Sequence, residues 1–83
     1  MDVREDEERR MASIPGSLWI PLSIFANHWQ ELPDEPLIIF CAAGARSQQA
    51  AAYLQVQGRR AGNLRGGIMG WAQAGLPMQT KDD

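Results

Sequence analysis

Four apolar residues, Leu37, Ile38, Ile39 and Phe40, run directly into the only cysteine of the chain, Cys41. Ala42, Ala43, Gly44, Ala45, Arg46 and Ser47 follow, small side chains broken by one arginine. The unbroken apolar run, entered through Pro33 and Pro36, predicts a buried parallel strand. Gln48, Gln49, Ala50, Ala51, Ala52, Tyr53, Leu54, Gln55, Val56 and Gln57 predict a helix, and Gly58 is placed to cap it in the left-handed conformation. Ala50, Tyr53, Leu54 and Gln57 fall at helical spacing and define the face expected to lie on a sheet. The loop thus joins the carboxyl end of a strand to the amino end of a helix, where open α/β sheets bind ligands. Backbone N–H groups there lack helical partners, and with the helix dipole they favour an anion.

That setting bears on the cysteine. With an ordinary pKa near 8.5, a free thiol is only about 3% ionised at neutral pH, and lowering the pKa by roughly two units makes most of it thiolate, the nucleophilic form. Arg46 adds a permanently charged fork of donors. Gly44 suits a turn that needs positive φ, and the alanines leave the backbone donors unobstructed. A cysteine ending an apolar strand is by itself most often a packing residue. The reading of Cys41 as a nucleophile therefore rests on the Ala-Ala-Gly-Ala-Arg-Ser that follows it.

The rest of the chain offers little competing chemistry. His28 is the only histidine, and in its helical surroundings it reads as a surface or partly buried side chain. One cysteine and one histidine cannot close a zinc site, so no metal and no cofactor are expected. Trp19, Trp29 and Trp71 read as packing residues. Gly66 and Gly67 lack the lysine and spacing of a phosphate loop and read as a tight strand-to-helix turn. The net charge of −2, with acidic residues gathered at Asp2, Glu5, Asp6, Glu7 and Glu8, gives no support to nucleic-acid binding. Arg9, Arg10, Arg59 and Arg60 read as solvated surface. No apolar stretch approaches the roughly 20 residues that span a bilayer, and the first residues are charged, so no membrane is expected and a cytoplasmic location is. A lone cysteine agrees with a reducing compartment.

Residues 5–11 read as a short helix, 18–21 as a short strand, Ser23 as the cap of a helix reaching about Leu32, and 68–74 as a final helix closed by Gly75 and Pro77. Strands alternating with helices predict an α/β protein with three layers. At 83 residues the chain is one domain, hiding only about 60 to 65% of its extended surface on folding.

These residues resemble the rhodanese-like sulfurtransferases. Residues 41–47 look like the family's active-site loop, six residues from the nucleophilic cysteine to a position that is often arginine. Asp2-Val3-Arg4-Glu5 is similar to the family's Asp-Val-Arg-Glu, and Ile14-Pro15-Gly16-Ser17 with Ile20-Pro21-Leu22 to its Ile-Pro-Gly-Ala and Ile-Pro-Leu. Asn63-Leu64-Arg65-Gly66-Gly67-Ile68, Trp71 and Ala74-Gly75-Leu76-Pro77 resemble its closing segment. Ser13 stands where the family commonly has histidine, and Ala42 and Ala43 where many members carry larger or basic side chains. The chain opens at a point usually preceded by a strand and a helix, so a shortened domain over residues 1–83 is expected.

The resemblance implies a rhodanese-like fold with a mostly parallel central sheet flanked by helices. It implies that Cys41 takes sulfur from a small anionic donor such as thiosulfate and passes it to cyanide, a thiol or a sulfur-accepting protein. Ala42, Ala43, Gly44, Ala45, Arg46, Ser47 and Arg4 would bind the substrate, Arg4 with Asp2 also bracing the loop from the neighbouring strand. Two other readings stay open: a phosphatase or arsenate reductase of the same fold, which typically needs a loop one residue longer, and a non-enzymatic persulfide carrier or docking module. The polar stretch 59–64 is expected at a sheet edge, leaving either a marginal monomer or a homodimer that covers the edge.

Overall fold

The computed structural model describes residues 1–81. Its centre is the N-terminal segment, residues 1–4. Asp2 bridges in parallel to Trp19 on one side and to Phe40 on the other, and the ladder continues from Val3 N–H to Phe40 O at 3.0 Å and from Ile20 N–H to Asp2 O at 3.0 Å. β2 (Leu37–Ile39) pairs in parallel with β3 (Ala61–Asn63), with Ile39 opposite Asn63. The Trp19 segment, the N-terminal segment, β2 and β3 therefore stand side by side. Among the described residues β3 has β2 as its one strand neighbour, the edge position its polarity predicts. A separate antiparallel pair joins β1 (Ala12–Ser13) to β4 (Gln79–Thr80).

One sheet face carries the core. Val3, Ile20, Ile39 and Cys41 pack with Phe25 and Leu32 and with Ala50, Ala51 and Leu54 of α3 (Ala45–Val56). Burial of these side chains is the dominant favourable term in folding. Phe25 and Trp29 each meet Tyr53 edge-on at 6.1 Å between ring centroids. The other face is more open: Ile38 is 59% exposed, and with Phe40, Leu64, Ile14 and Trp71 it lines a shallow groove. The run before Cys41 is thus a parallel strand buried on one side only.

Two further expectations change. The face of α3 turned inward comprises Ser47, Ala50, Ala51 and Leu54, while Tyr53 is 38% exposed and Gln57 lies at the exposed end. The helix expected from Ser23 to Leu32 divides into a 3-10 turn at Leu22–Ile24, α2 (Phe25–His28) and a second 3-10 turn at Trp29–Glu31. Ile24 and His28 interrupt it at φ −119° and −129° with ψ near zero, outside the helical region. Ser23 caps nothing; its hydroxyl donates to Glu5 Oε1 at 2.8 Å.

The remaining helices follow their sequence signals. α1 (Asp6–Met11) begins with a reciprocal capping box between Glu5 and Glu8. α3 ends ahead of Gly58 at φ +84°, and α4 (Gly67–Gln73) ends ahead of Gly75.

Candidate active site

Cys41 follows β2 and is 1% exposed, at the base of the loop that leads into α3. Gly44 takes φ +121°, a conformation that a side chain disfavours, and its N–H donates to the Cys41 Sγ at 3.0 Å. The Ser47 hydroxyl lies 3.3 Å from the same sulfur. Gln48 N–H makes a helical bond to Gly44 O, so the amides of Ala45, Arg46 and Ser47 stand in the first turn, ahead of any intrahelical partner. Burial pushes the Cys41 thiol up. Hydrogen bonds from the Ser47 hydroxyl and from the N–H groups of Ser47, Gly44 and Ala43 outweigh it and hold the thiol below its ordinary value.

The loop is clamped from behind by α4. Ile68 N–H donates to Cys41 O at 2.8 Å and Met69 N–H to Ala42 O at 3.1 Å. Gly67 makes this approach possible, because a Cβ there would sit 2.4 Å from both of those carbonyl oxygens. The Gly66-Gly67 pair is the strand-to-helix turn its sequence suggests, with both residues at positive φ.

Arg46 sits one residue inside α3, and both of its terminal nitrogens are taken. Nη1 and Nη2 donate to the two carboxylate oxygens of Glu8, at 2.6 and 2.8 Å. This fork-on-fork pair holds the Glu8 carboxyl down at about 2 and raises the Arg46 guanidinium further. The arginine is therefore a fixed cation beside the loop and not a free side chain awaiting an anion.

Residues 1–74 match the rhodanese-like domain. The chain belongs to the rhodanese-like domain family. This rhodanese-like chain is 44% identical over 80 residues to a sulfurtransferase of Allochromatium vinosum, covering 94% of itself and 75% of that protein. It is 32% identical to the thiosulfate sulfurtransferase GlpE of Actinobacillus succinogenes, covering 96% of itself and 74% of that protein. The crystal structure of a rhodanese-related protein of Thermoplasma volcanium superposes with a TM-score of 0.91 at 35% identity, over 95% of this chain and 80% of that one.

In this rhodanese-like domain Ala43, Gly44 and Ser47 of the loop direct donors at the sulfur, but Arg4 does not join them. Arg4 is 4% exposed. Its side chain donates to both carboxylate oxygens of Asp2, to Glu8 O and to Ala12 O, so among the described residues its bonds tie the N-terminal segment to α1. That removes Arg4 from the substrate-binding set and makes it a brace for the helix that presents Glu8. Arg9, expected in solvent, donates to the buried Asp2 at 3.1 Å and lies over the Trp19 ring. Arg59 donates to Leu32 O and Pro33 O and lies over Trp29. His28 pairs with Glu31 on the surface.

Two residues of the site escaped sequence reasoning. Glu8 was submerged in an acidic run, although its capping-box spacing from Glu5 marked it as ordered. Asn63 lies in β3, with its side chain against Ser47 Oγ and Gly44 O. A polar residue at the carboxyl end of a strand, beside the binding loop, was the signal available for it.

Proposed function

We propose that this chain is a sulfurtransferase acting through a persulfide on Cys41. The Cys41 thiolate attacks the outer sulfur of a thiosulfate-like donor, the donor's S–S bond breaks, and sulfite leaves with the bonding electron pair. The sulfur retained on Cys41 carries the negative charge. A thiophilic acceptor such as cyanide then attacks that outer sulfur and leaves as thiocyanate, and the Cys41 thiolate is regenerated.

The observation that carries this reading is the convergence of the Gly44 N–H and the Ser47 hydroxyl on the Cys41 sulfur. Donors fixed in place before reaction stabilise charge without reorganising. Family membership and the names of the relatives support sulfur as the group transferred, and the six-residue span from Cys41 to Arg46 favours a sulfur atom over a bulkier tetrahedral oxyanion. Arg46 attracts the anionic donor to the loop, in competition with Glu8. Cys41→Ser is expected to abolish thiocyanate formation from thiosulfate and cyanide; full activity in that variant would refute the mechanism.

A further inference from the structure

We propose that Asn63 is a positioning residue for the nucleophile, competing with the Cys41 sulfur for the single proton of the Ser47 hydroxyl. The inference rests on the reading of Cys41 as the sulfur-carrying nucleophile. Ser47 is fully buried, and a serine hydroxyl has one hydrogen to give. Three acceptors surround its oxygen: Asn63 Oδ1 at 2.5 Å, Gly44 O at 3.2 Å and Cys41 Sγ at 3.3 Å. The Asn63 amide is oriented by its other end, where Nδ2 donates to Gly44 O at 3.2 Å. Turned the other way, it would set two oxygens at that distance. Its oxygen therefore faces the hydroxyl as a pure acceptor.

The direction of the chain then depends on the state of the sulfur. While Cys41 is a thiol, its S–H donates to Ser47 Oγ and the hydroxyl donates onward to Asn63 Oδ1. When Cys41 ionises, the sulfur becomes an acceptor, the hydroxyl turns toward it, and Asn63 Oδ1 loses its donor. When the sulfur is persulfidated, the charge moves to the outer atom and the hydroxyl returns to Asn63. Asn63 thus accepts the Ser47 hydroxyl hydrogen bond whenever the inner sulfur does not take it, and it opposes the resting thiolate. The charged groups on the elements beside the loop are Arg46 on α3, Glu8 reaching Arg46 from α1, and the buried Asp2–Arg4 pair on the segment that bridges to Phe40. Changes at position 63 leave all of them in place.

The test reads the ionisation of Cys41 directly, by thiolate ultraviolet absorbance and by the rate of alkylation with iodoacetamide across pH. Asn63→Ala, and the volume-matched Asn63→Leu, are expected to lower the titration midpoint and to raise the thiolate-to-thiol ratio at a fixed pH about five-fold, the worth of one hydrogen bond. Ser47→Ala is expected to raise the midpoint, and in that background the change at Asn63 is expected to do nothing. A midpoint that rises or stays fixed in the Asn63 variants, or a shift that survives in Ser47→Ala, would overturn the proposal. In the unmodified chain, the Asn63 side-chain amide resonances are expected to titrate with Cys41; resonances constant through that transition would overturn it as well. Because no readout uses sulfur transfer, failure here is distinct from failure of the sulfurtransferase reading.

Discussion

Glu8 and Arg46, 38 positions apart in the chain, close a two-point ion pair over the side of the loop, Nη1 to Oε1 at 2.6 Å and Nη2 to Oε2 at 2.8 Å. The pair links α1 to the first turn of α3, so the capping box that orders Glu8 also orders the cation beside Cys41. The position of the arginine is set by a residue outside the loop.

That pair gives the fold an acid-sensitive component. The Glu8 carboxyl is held at about 2, below its ordinary 4.5, so its contribution is complete above about 4.5 and disappears as pH falls through about 2. Each side chain is 35% exposed, and solvent screening limits the contribution to about 1 kcal/mol or less. Denaturant titrations from pH 5 to pH 2 should show a loss of that size attributable to the pair. Glu8→Gln should lower stability at pH 5 and flatten the profile below it.

The same pair should set the use of anionic donors. Arg46→Ala is expected to raise the KM for thiosulfate by about ten-fold, the loss of one charge-assisted contact, with a smaller change in kcat. Glu8→Gln leaves Arg46 without its competitor and is expected to move KM the other way. Steady-state kinetics with thiosulfate and cyanide measures both.

Gly67→Ala should collapse the loop from behind. The added carbon would fall 2.4 Å from the Cys41 and Ala42 carbonyl oxygens at a position already at φ +58°, so α4 must withdraw and release both backbone bonds. A loss of about 2 kcal/mol or more is expected, and the Cys41 thiol should titrate closer to a free cysteine. Thermal melts and thiol titration of the same sample report the two effects.

Asp2 is a deeper structural point. Its carboxylate, 0% exposed, accepts from the Arg4 backbone N–H, from Arg4 Nε and Nη2, and from Arg9 Nη1. Asp2→Ala would strand Arg4 in the interior, and a loss of about 3 kcal/mol or more in denaturant titration is expected.

The sequence announces what is local. The apolar run before Cys41, the positive-φ Gly44 and the cap at Gly58 locate β2, the loop and α3, because strand, turn and helix signals each act over a few neighbouring residues. Ile38 shows the limit: apolarity marks a strand without saying whether both faces are covered. Ser23 is a good cap by composition, yet Glu5 draws its hydroxyl away. Glu8, Arg9 and Asn63 owe their roles to partners brought close by the chain fold, Arg46, Asp2 and Ser47, and nothing in their own neighbourhoods names those partners. The resemblance sets Arg4 among the substrate-binding residues; the carboxylate of Asp2, two positions away, takes its side chain instead.

The central claim is that the amides and hydroxyl around Cys41 make it a sulfur-accepting thiolate. Mass spectrometry of the intact chain after incubation with thiosulfate, followed by removal of the donor and addition of cyanide, tests this most directly. One added sulfur atom is expected, mapped to Cys41 and absent in Cys41→Ser, which cyanide then removes as thiocyanate. An unchanged mass on a folded chain, or sulfur added equally to Cys41→Ser, would contradict it.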